Sequence, residues 1–91
     1  MPGTMICHEG LLELKKHDEE NQTQYMETLR VYLEQHLSAT QAARELFIHR
    51  STFLYRLDRI KEILQSELDD PEEIFYLELS FRLLEQEQEK E

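Results

Sequence analysis

Residues 39–65 decide the fold, and they read ATQAARELFIHRSTFLYRLDRIKEILQ. Ser38 precedes them and Gln41 follows three residues later, which is the Ser-x-x-Gln pattern of a capping box and marks the start of a helix. Further on, apolar residues recur at intervals of four, three and four residues, the spacing of one buried helix face. They are Phe53, Leu57, Ile60 and Leu64. The stretch therefore predicts two helices, over 39–46 and 50–65.

The connection between these helices is short. Phe47 and Ile48 are expected to be tucked beneath the pair, and His49 to be the N-cap of the second helix. Two helices joined by a tight turn suit a helix-turn-helix, in which the first helix braces a second that enters the major groove of DNA. The residues expected to contact DNA are the polar and basic ones of this region: Ser38, Thr40, His49, Arg50, Ser51, Thr52, Tyr55, Arg56 and Arg59.

Within that set the roles follow from position. Arg50 lies in the first turn of the second helix, where a guanidinium can reach base edges and grip a guanine through two hydrogen bonds. Ser51 and Thr52 can add hydroxyl donors to a phosphate held by the backbone amides of the same turn. Arg59 lies further along and is expected to meet phosphate.

The charge distribution agrees with this interpretation. Residues 44–61 hold five basic and two acidic residues, a net of +3, while the remainder holds five basic and 18 acidic, a net of −13, which together give the chain's −10. An acidic protein can bind in a DNA groove through one locally basic helix. From charge alone, the alternative is that these cations only form the solvated face of an amphipathic helix. The overall −10 also argues against non-specific nucleic-acid binding by the whole surface.

The length of 91 residues predicts one small domain or a fragment of a larger protein. Glycine and proline are few, and no segment alternates apolar and polar residues, so we expect an all-α fold of four to five helices containing a helix-turn-helix. No apolar run is long enough to span a membrane, and no signal peptide is evident. The single Cys7 cannot form an internal disulfide, which fits a cytoplasmic protein.

Two further helices have clear signals. A broad apolar face predicts a helix over 24–36, capped by Thr23 or Asn21. The pair Asp70-Pro71 predicts the start of a helix over 71–85, since Asp is a good N-cap and Pro suits the first helical position.

The N-terminal part is less regular. Residues 9–16 are a candidate fifth helix interrupted by Gly10, and 17–21 are polar and expected to form a loop. The expected organisation has three parts: an N-terminal extension that is partly helical or disordered (1–22), the helix-turn-helix domain (23–86) and a charged tail that frays (87–91).

The apolar pattern also predicts a core and an interface. The residues expected to be buried are Leu29, Leu33, Ala43, Leu46, Phe53, Leu57, Ile60, Leu77 and Phe81. The helix over 71–85 carries more apolar residues than one core-facing stripe requires, so it is either central or meets a partner. We expect a homodimer that uses Phe75, Leu79 or Leu83.

Catalytic and metal-binding patterns are missing from the sequence. The histidines at positions 8, 17, 36 and 49 have no metal-ligand spacing, and glycine occurs only at positions 3 and 10, which leaves no phosphate-binding loop. No nucleophile and base stand in a recognisable arrangement. We therefore expect no enzymatic activity, no metal and no cofactor.

The most specific block is residues 47–57, FIHRSTFLYRL, followed by Arg59-Ile60. With His17-Asp18 before it and LDDPE at 68–72 after it, the order and spacing of segments resemble the C-terminal DNA-binding domain of PucR/CdaR-type bacterial transcriptional regulators. The match extends over residues 11–84. It implies a domain that binds double-stranded DNA and that, in the full-length protein, follows an upstream sensory domain.

Some residues depart from that family's usual pattern. Leu54 and Asp58 stand where the family usually has arginine, and Gln65 stands where the helix usually ends in glycine. Ser51 and Phe53 replace the usual Asn and Leu, which are milder changes. Fewer cations would weaken phosphate contacts. Two interpretations follow: a DNA-binding dimer, or a protein-interaction and dimerisation module with weakened DNA contacts.

Overall fold

The computed structural model describes residues 7–89 and the side chains of residues 7–86. That part of the chain forms five helices and no strand, which confirms the all-α prediction. They are α1 (Glu9–Asn21), α2 (Tyr25–Glu34), α3 (Ala39–Leu46), α4 (Arg50–Leu64) and α5 (Pro71–Glu89). Residues 1–6 of the expected N-terminal extension lie outside the described residues. None of the described helices is both long enough and apolar enough to cross a membrane.

The capping signals located the helix starts well. Ser38 Oγ accepts a hydrogen bond from the Gln41 amide at 3.2 Å, and α3 begins and ends as predicted. Asp70 Oδ1 accepts from the Glu72 amide at 3.1 Å at the start of α5. The predicted helix ends were less accurate. α2 ends at Glu34 rather than residue 36, and α5 continues to Glu89 although the tail was expected to fray.

The loop predicted at residues 17–21 is wrong, because these residues form the last turns of α1. Their polarity has a structural purpose. Asp18 accepts hydrogen bonds from the amides of Tyr25 and Met26, at 3.0 and 2.8 Å, and from the hydroxyl of Thr23. Asp18 thus caps α2 in place of the expected Thr23 or Asn21, since a carboxylate is stabilised by the amides at a helix start.

Helix α4 lies at the centre of the fold, packed against α1, α2 and α3, while α5 packs against α2. Eight of the nine predicted core residues are buried, and Leu46 is half-buried. α1 also contributes Leu11 and Leu14, both fully buried. At Gly10 a Cβ would lie 3.1 Å from Leu64 Cα, so glycine allows α1 to approach the end of α4 closely.

The chain before α1 is held against α5. The His8 amide donates to Ser80 Oγ at 2.9 Å, and His8 Nε2 lies 3.0 Å from a carboxylate oxygen of Glu73. His8 Nδ1 accepts from the Gly10 amide at 2.9 Å, which identifies Nε2 as the ring nitrogen that donates to Glu73. Glu73 also accepts a hydrogen bond from Ser66. This cluster connects the start of α1, the loop after α4 and the first turns of α5.

Candidate nucleic-acid interface

The exposed surface of α3 and α4 gathers most of the residues expected to contact DNA. Thr40 is exposed in the first turn of α3, and Ser38 is half-buried at its N-cap. His49 is the N-cap of α4 by backbone geometry, with φ −68° and ψ 149°, although its imidazole does not cap the helix. The next three residues, Arg50, Ser51 and Thr52, are all exposed. Without a capping side chain, the first amides of α4 have no helical acceptor and suit an anion.

Cations near the start of α4 are unpaired. Among the side chains of residues 7–86, Arg44 and Arg50 make no ion pair, and both are exposed. Arg44 lies in the last turn of α3 and was not among the expected contacts, although it was counted in the local charge. Its exposure beside the turn adds a second free guanidinium to this region.

Helix α4 carries its charges unevenly along its length. Ser51, Tyr55, Asp58 and Glu62 recur at helical spacing and are all exposed, so they share the face opposite the core. The N-terminal half of that face holds no acid, whereas the C-terminal half holds both carboxylates. Tyr55 is 64% exposed at its middle. An anionic ligand is therefore accommodated best at the N-terminal half of α4.

Arg56 is engaged within the protein. Its Nη1 lies 3.3 Å from Thr28 Oγ1, to which it donates. Thr28 is fully buried, and its hydroxyl donates in turn to the Gln24 carbonyl at 2.7 Å. The half-buried Arg56 thus connects α4 to the first turn of α2, and a contact with DNA would have to use its remaining donors.

Arg59 also has an internal partner. Its Nη1 lies 2.7 Å from a carboxylate oxygen of Glu62, three residues further along α4. Both side chains remain partly exposed, so this ion pair contributes little to stability and is easily exchanged for another anion. At the two positions where the family usually has arginine, Leu54 is half-buried against the core and Asp58 is exposed.

The turn between α3 and α4 differs from expectation at one residue. Phe47, predicted to be tucked beneath the helices, is 95% exposed. It ends α3 in the left-handed region, at φ 58°, and this turn directs its side chain into solvent. The Phe47 amide donates to the Arg44 carbonyl at 3.2 Å and the Ile48 amide to the Ala43 carbonyl at 3.1 Å, a pattern that satisfies the last carbonyls of α3.

The residues expected at a dimer interface separate into two environments. Phe75 is 67% exposed and Leu79 is 41% exposed, and Tyr76 beside them is also exposed. Leu83 is half-buried against the core of the same chain. An apolar patch thus remains on α5, away from the buried face formed by Leu77 and its neighbours.

Comparison with known proteins identifies what the chain resembles. The model of the PucR C-terminal helix-turn-helix domain matches residues 25–83. The chain is 38% identical over 73 residues to the purine catabolism regulatory protein of Bacillus subtilis (strain 168), covering 80% of this chain and 14% of that protein. It is 38% identical over 63 residues to the proline-responsive transcriptional activator PutR of the same organism, covering 69% of this chain and 15% of PutR.

A third relative is the DNA-binding transcriptional activator AdeR, also of Bacillus subtilis (strain 168). It is 32% identical over 74 residues, which are 81% of this chain and 18% of AdeR. The chain thus spans less than a fifth of the length of each of these relatives. No solved structure matches the chain.

Proposed function

Because the chain belongs to the PucR C-terminal helix-turn-helix family, we propose that it binds double-stranded DNA sequence-specifically, with α4 in the major groove. The observation that carries this proposal is the first turn of α4, where the unpaired Arg50 stands exposed beside Ser51 and Thr52. Phe53 and Leu57, on the other side of the same helix, anchor it in the core. A rigidly held helix with a free cationic start can enter a groove without rearrangement.

The proposed contacts follow from exposure and pairing. Arg50 reads a base edge, and Ser51, Thr52 and the first amides of α4 hold a phosphate. Thr40 and Ser38 approach the backbone from the start of α3, as the first helix of such a pair does. The contact extends to His49, Tyr55, Arg56 and Arg59. Arg56 and Arg59 first exchange their internal partners, Thr28 and Glu62, for DNA. The carboxylates of Asp58 and Glu62 stay away from the phosphates, because like charges repel.

The experiment that tests the proposal is selection of duplexes from a random-sequence pool by the chain, followed by binding titrations of the selected duplex at several salt concentrations. We expect enrichment of one sequence pattern and an affinity that falls as salt rises, because phosphate contacts release counterions. A pool that stays random after selection, with no salt-dependent binding, would contradict DNA binding.

Arg59→Ala is expected to weaken binding to all DNA sequences alike. It should also reduce the slope of log affinity against log salt concentration by about one. The reason is the loss of one phosphate contact, made when Arg59 leaves Glu62. Fluorescence anisotropy of the selected duplex and of a scrambled one measures both effects.

Two further variants serve as controls for the Arg59→Ala prediction. Arg82→Ala removes an exposed cation from α5 and is expected to leave the salt slope unchanged. Glu62→Gln frees Arg59 from its ion pair and is expected to strengthen binding. Equal slopes for the wild type and Arg59→Ala would exclude Arg59 from the interface.

We further propose that the domain acts as a homodimer through the patch of Phe75 and Leu79 on α5. A dimer would place two α4 helices for neighbouring major grooves, about 34 Å apart along the duplex. Light scattering is expected to give twice the chain mass of 11.0 kDa, and Phe75→Ser is expected to restore the monomer. Tyr55→Ser, exposed on α4, serves as the control. A monomer mass for the wild type at high concentration would contradict the proposed homodimer.

A second candidate function is a protein-interaction or dimerisation module with weakened DNA contacts. Asp58 and Glu62 on the open face of α4 favour it, as do the internal partners of Arg56 and Arg59. The salt-dependent titration separates the two functions, because a protein-interaction module would show no selected sequence and no steep salt dependence.

The setting of the domain is also a proposal. The family model describes a C-terminal domain of transcriptional regulators, not an enzyme. We infer that this domain works in the cytoplasm, joined to an upstream sensory domain, and that a signal sensed there changes transcription through α4.

A further inference from the structure

We propose that Phe47 contacts the C5-methyl group of a thymine in the major groove and so helps to determine the DNA sequence that is bound. This inference rests on the proposed function and adds a residue to it. The contact would lie beside the one made by Arg50, three residues further along the chain.

Phe47 has an unfavourable backbone conformation, and packing of its side chain does not offset this in the isolated chain. Six described residues that are not glycine have positive φ: Gln22, His36, Leu37, Phe47, Gln65 and Leu68. The left-handed region is unfavourable for a residue with a side chain relative to glycine. Leu68 is buried and Leu37 half-buried, so their side chains gain from packing, and the glutamines and histidine are polar. Phe47 alone of these six leaves a large apolar side chain in solvent.

Phe47 also lies, in sequence, among residues of the candidate interface. Exposed residues near it in sequence are Arg44, His49 and Arg50, and the exposed Glu45 is the one acid between residues 44 and 57. In a chain with a net charge of −10, this is the region where an anionic polymer is tolerated. The exposed phenyl ring is therefore adjacent in sequence to residues of the proposed DNA surface, whereas the apolar patch of Phe75 and Leu79 belongs to α5.

Base edges in the major groove carry hydrogen-bond donors and acceptors, and the thymine methyl is the apolar group among them. A phenyl ring has no donor with which to satisfy the other groups, but it can bury a methyl. The exposed ring of Phe47, just before the start of α4, therefore suits thymine better than any other base.

The test uses the duplex that the wild-type chain selects, remade with deoxyuridine in place of thymine at one position at a time. Deoxyuridine removes only the methyl group. We expect the wild type to lose about three- to fivefold in affinity at one thymine in each half-site, the contribution of one buried methyl. Phe47→Asn, which tolerates the left-handed turn, is expected to bind the thymine duplex about as weakly and to be insensitive to deoxyuridine there.

The controls separate this contact from folding and from the proposed function. Gln22→Asn changes an exposed residue in another left-handed turn, at the end of α1, and is expected to retain the full thymine preference. The thermal midpoint of Phe47→Asn should not fall below that of the wild type, because no packing is lost. If Phe47→Asn still distinguishes thymine from deoxyuridine, or if the selected sequences contain no fixed thymine, the inference is overturned while DNA binding stands. If the wild type selects no sequence, the proposed function itself fails.

Discussion

Leu57→Ala is expected to lower the free energy of unfolding by about 2–5 kcal/mol. Leu57 is 4% exposed in the middle of α4, the helix against which α1, α2 and α3 all pack. Truncation removes buried apolar atoms and leaves a cavity that three surrounding helices cannot easily fill. Chemical denaturation followed by circular dichroism measures the change.

Tyr55→Ala provides the matched control for this prediction. It truncates a larger side chain on the opposite face of the same helix, where 64% of the residue is exposed. Its expected effect is within about 0.5 kcal/mol, as for other surface changes. A denaturation midpoint for Leu57→Ala equal to that of Tyr55→Ala would mean that α4 packs in another register.

Arg50→Ala is expected to weaken binding to the selected duplex by about 1–3 kcal/mol and to relax the sequence preference at one position. The side chain is exposed and unpaired among described residues 7–86, so it loses no internal contact. Repeating the selection with the variant, and titrating single-base changes in the duplex, measures both effects.

Arg50→Lys is the informative companion variant. Lysine keeps the positive charge but cannot make the two parallel hydrogen bonds of a guanidinium. Affinity for scrambled DNA should therefore be retained while the preference at one base falls. If Arg50→Ala and Arg59→Ala both leave DNA affinity unchanged, α4 is not the DNA-recognition helix. The protein-interaction function is then favoured over DNA binding.

The sequence predicted most of the fold because its strongest signals are local. Ser38 and Asp70 mark helix starts through bonds that span only two or three residues, and the buried face of α4 follows from regular spacing. Gln65 adopts the left-handed cap, with φ 56°, where the family usually has glycine, so α4 ends close to the predicted residue despite the substitution.

Two of the misses share a physical cause, which is contact between residues of different helices. Asp18 lies in polar residues that resemble a loop, but its bonds to the amides of Tyr25 and Met26 cross into the next helix. Arg56 bonds to Thr28, 28 residues away, and no periodicity reveals such a partner. Phe47 was assigned by hydrophobicity alone, whereas the left-handed turn determines where its side chain points.

Less of the site than of the fold could be predicted from the sequence. Helical spacing predicts that Ser51 and Tyr55 face away from the core, and both are exposed. Whether a guanidinium is free or occupied depends on neighbours that spacing does not specify, as with Arg59 and Glu62. Contacts with DNA add a second molecule whose sequence the chain does not encode.

The cluster of His8, Ser66 and Glu73 makes part of the fold sensitive to acid. The hydrogen bond from Ser66 is the main reason that the pKa of Glu73 lies below its ordinary value of 4.5. Partial burial opposes this effect, and the contact with His8 lowers the pKa further. A carboxylate whose pKa is lower in the folded state stabilises that state fully above the ordinary value. This stabilisation is lost as pH falls from about 4.5 through the lowered pKa. Acidification should therefore loosen the start of α1 and the loop after α4 from α5, while the buried apolar face of α4 carries no group that titrates.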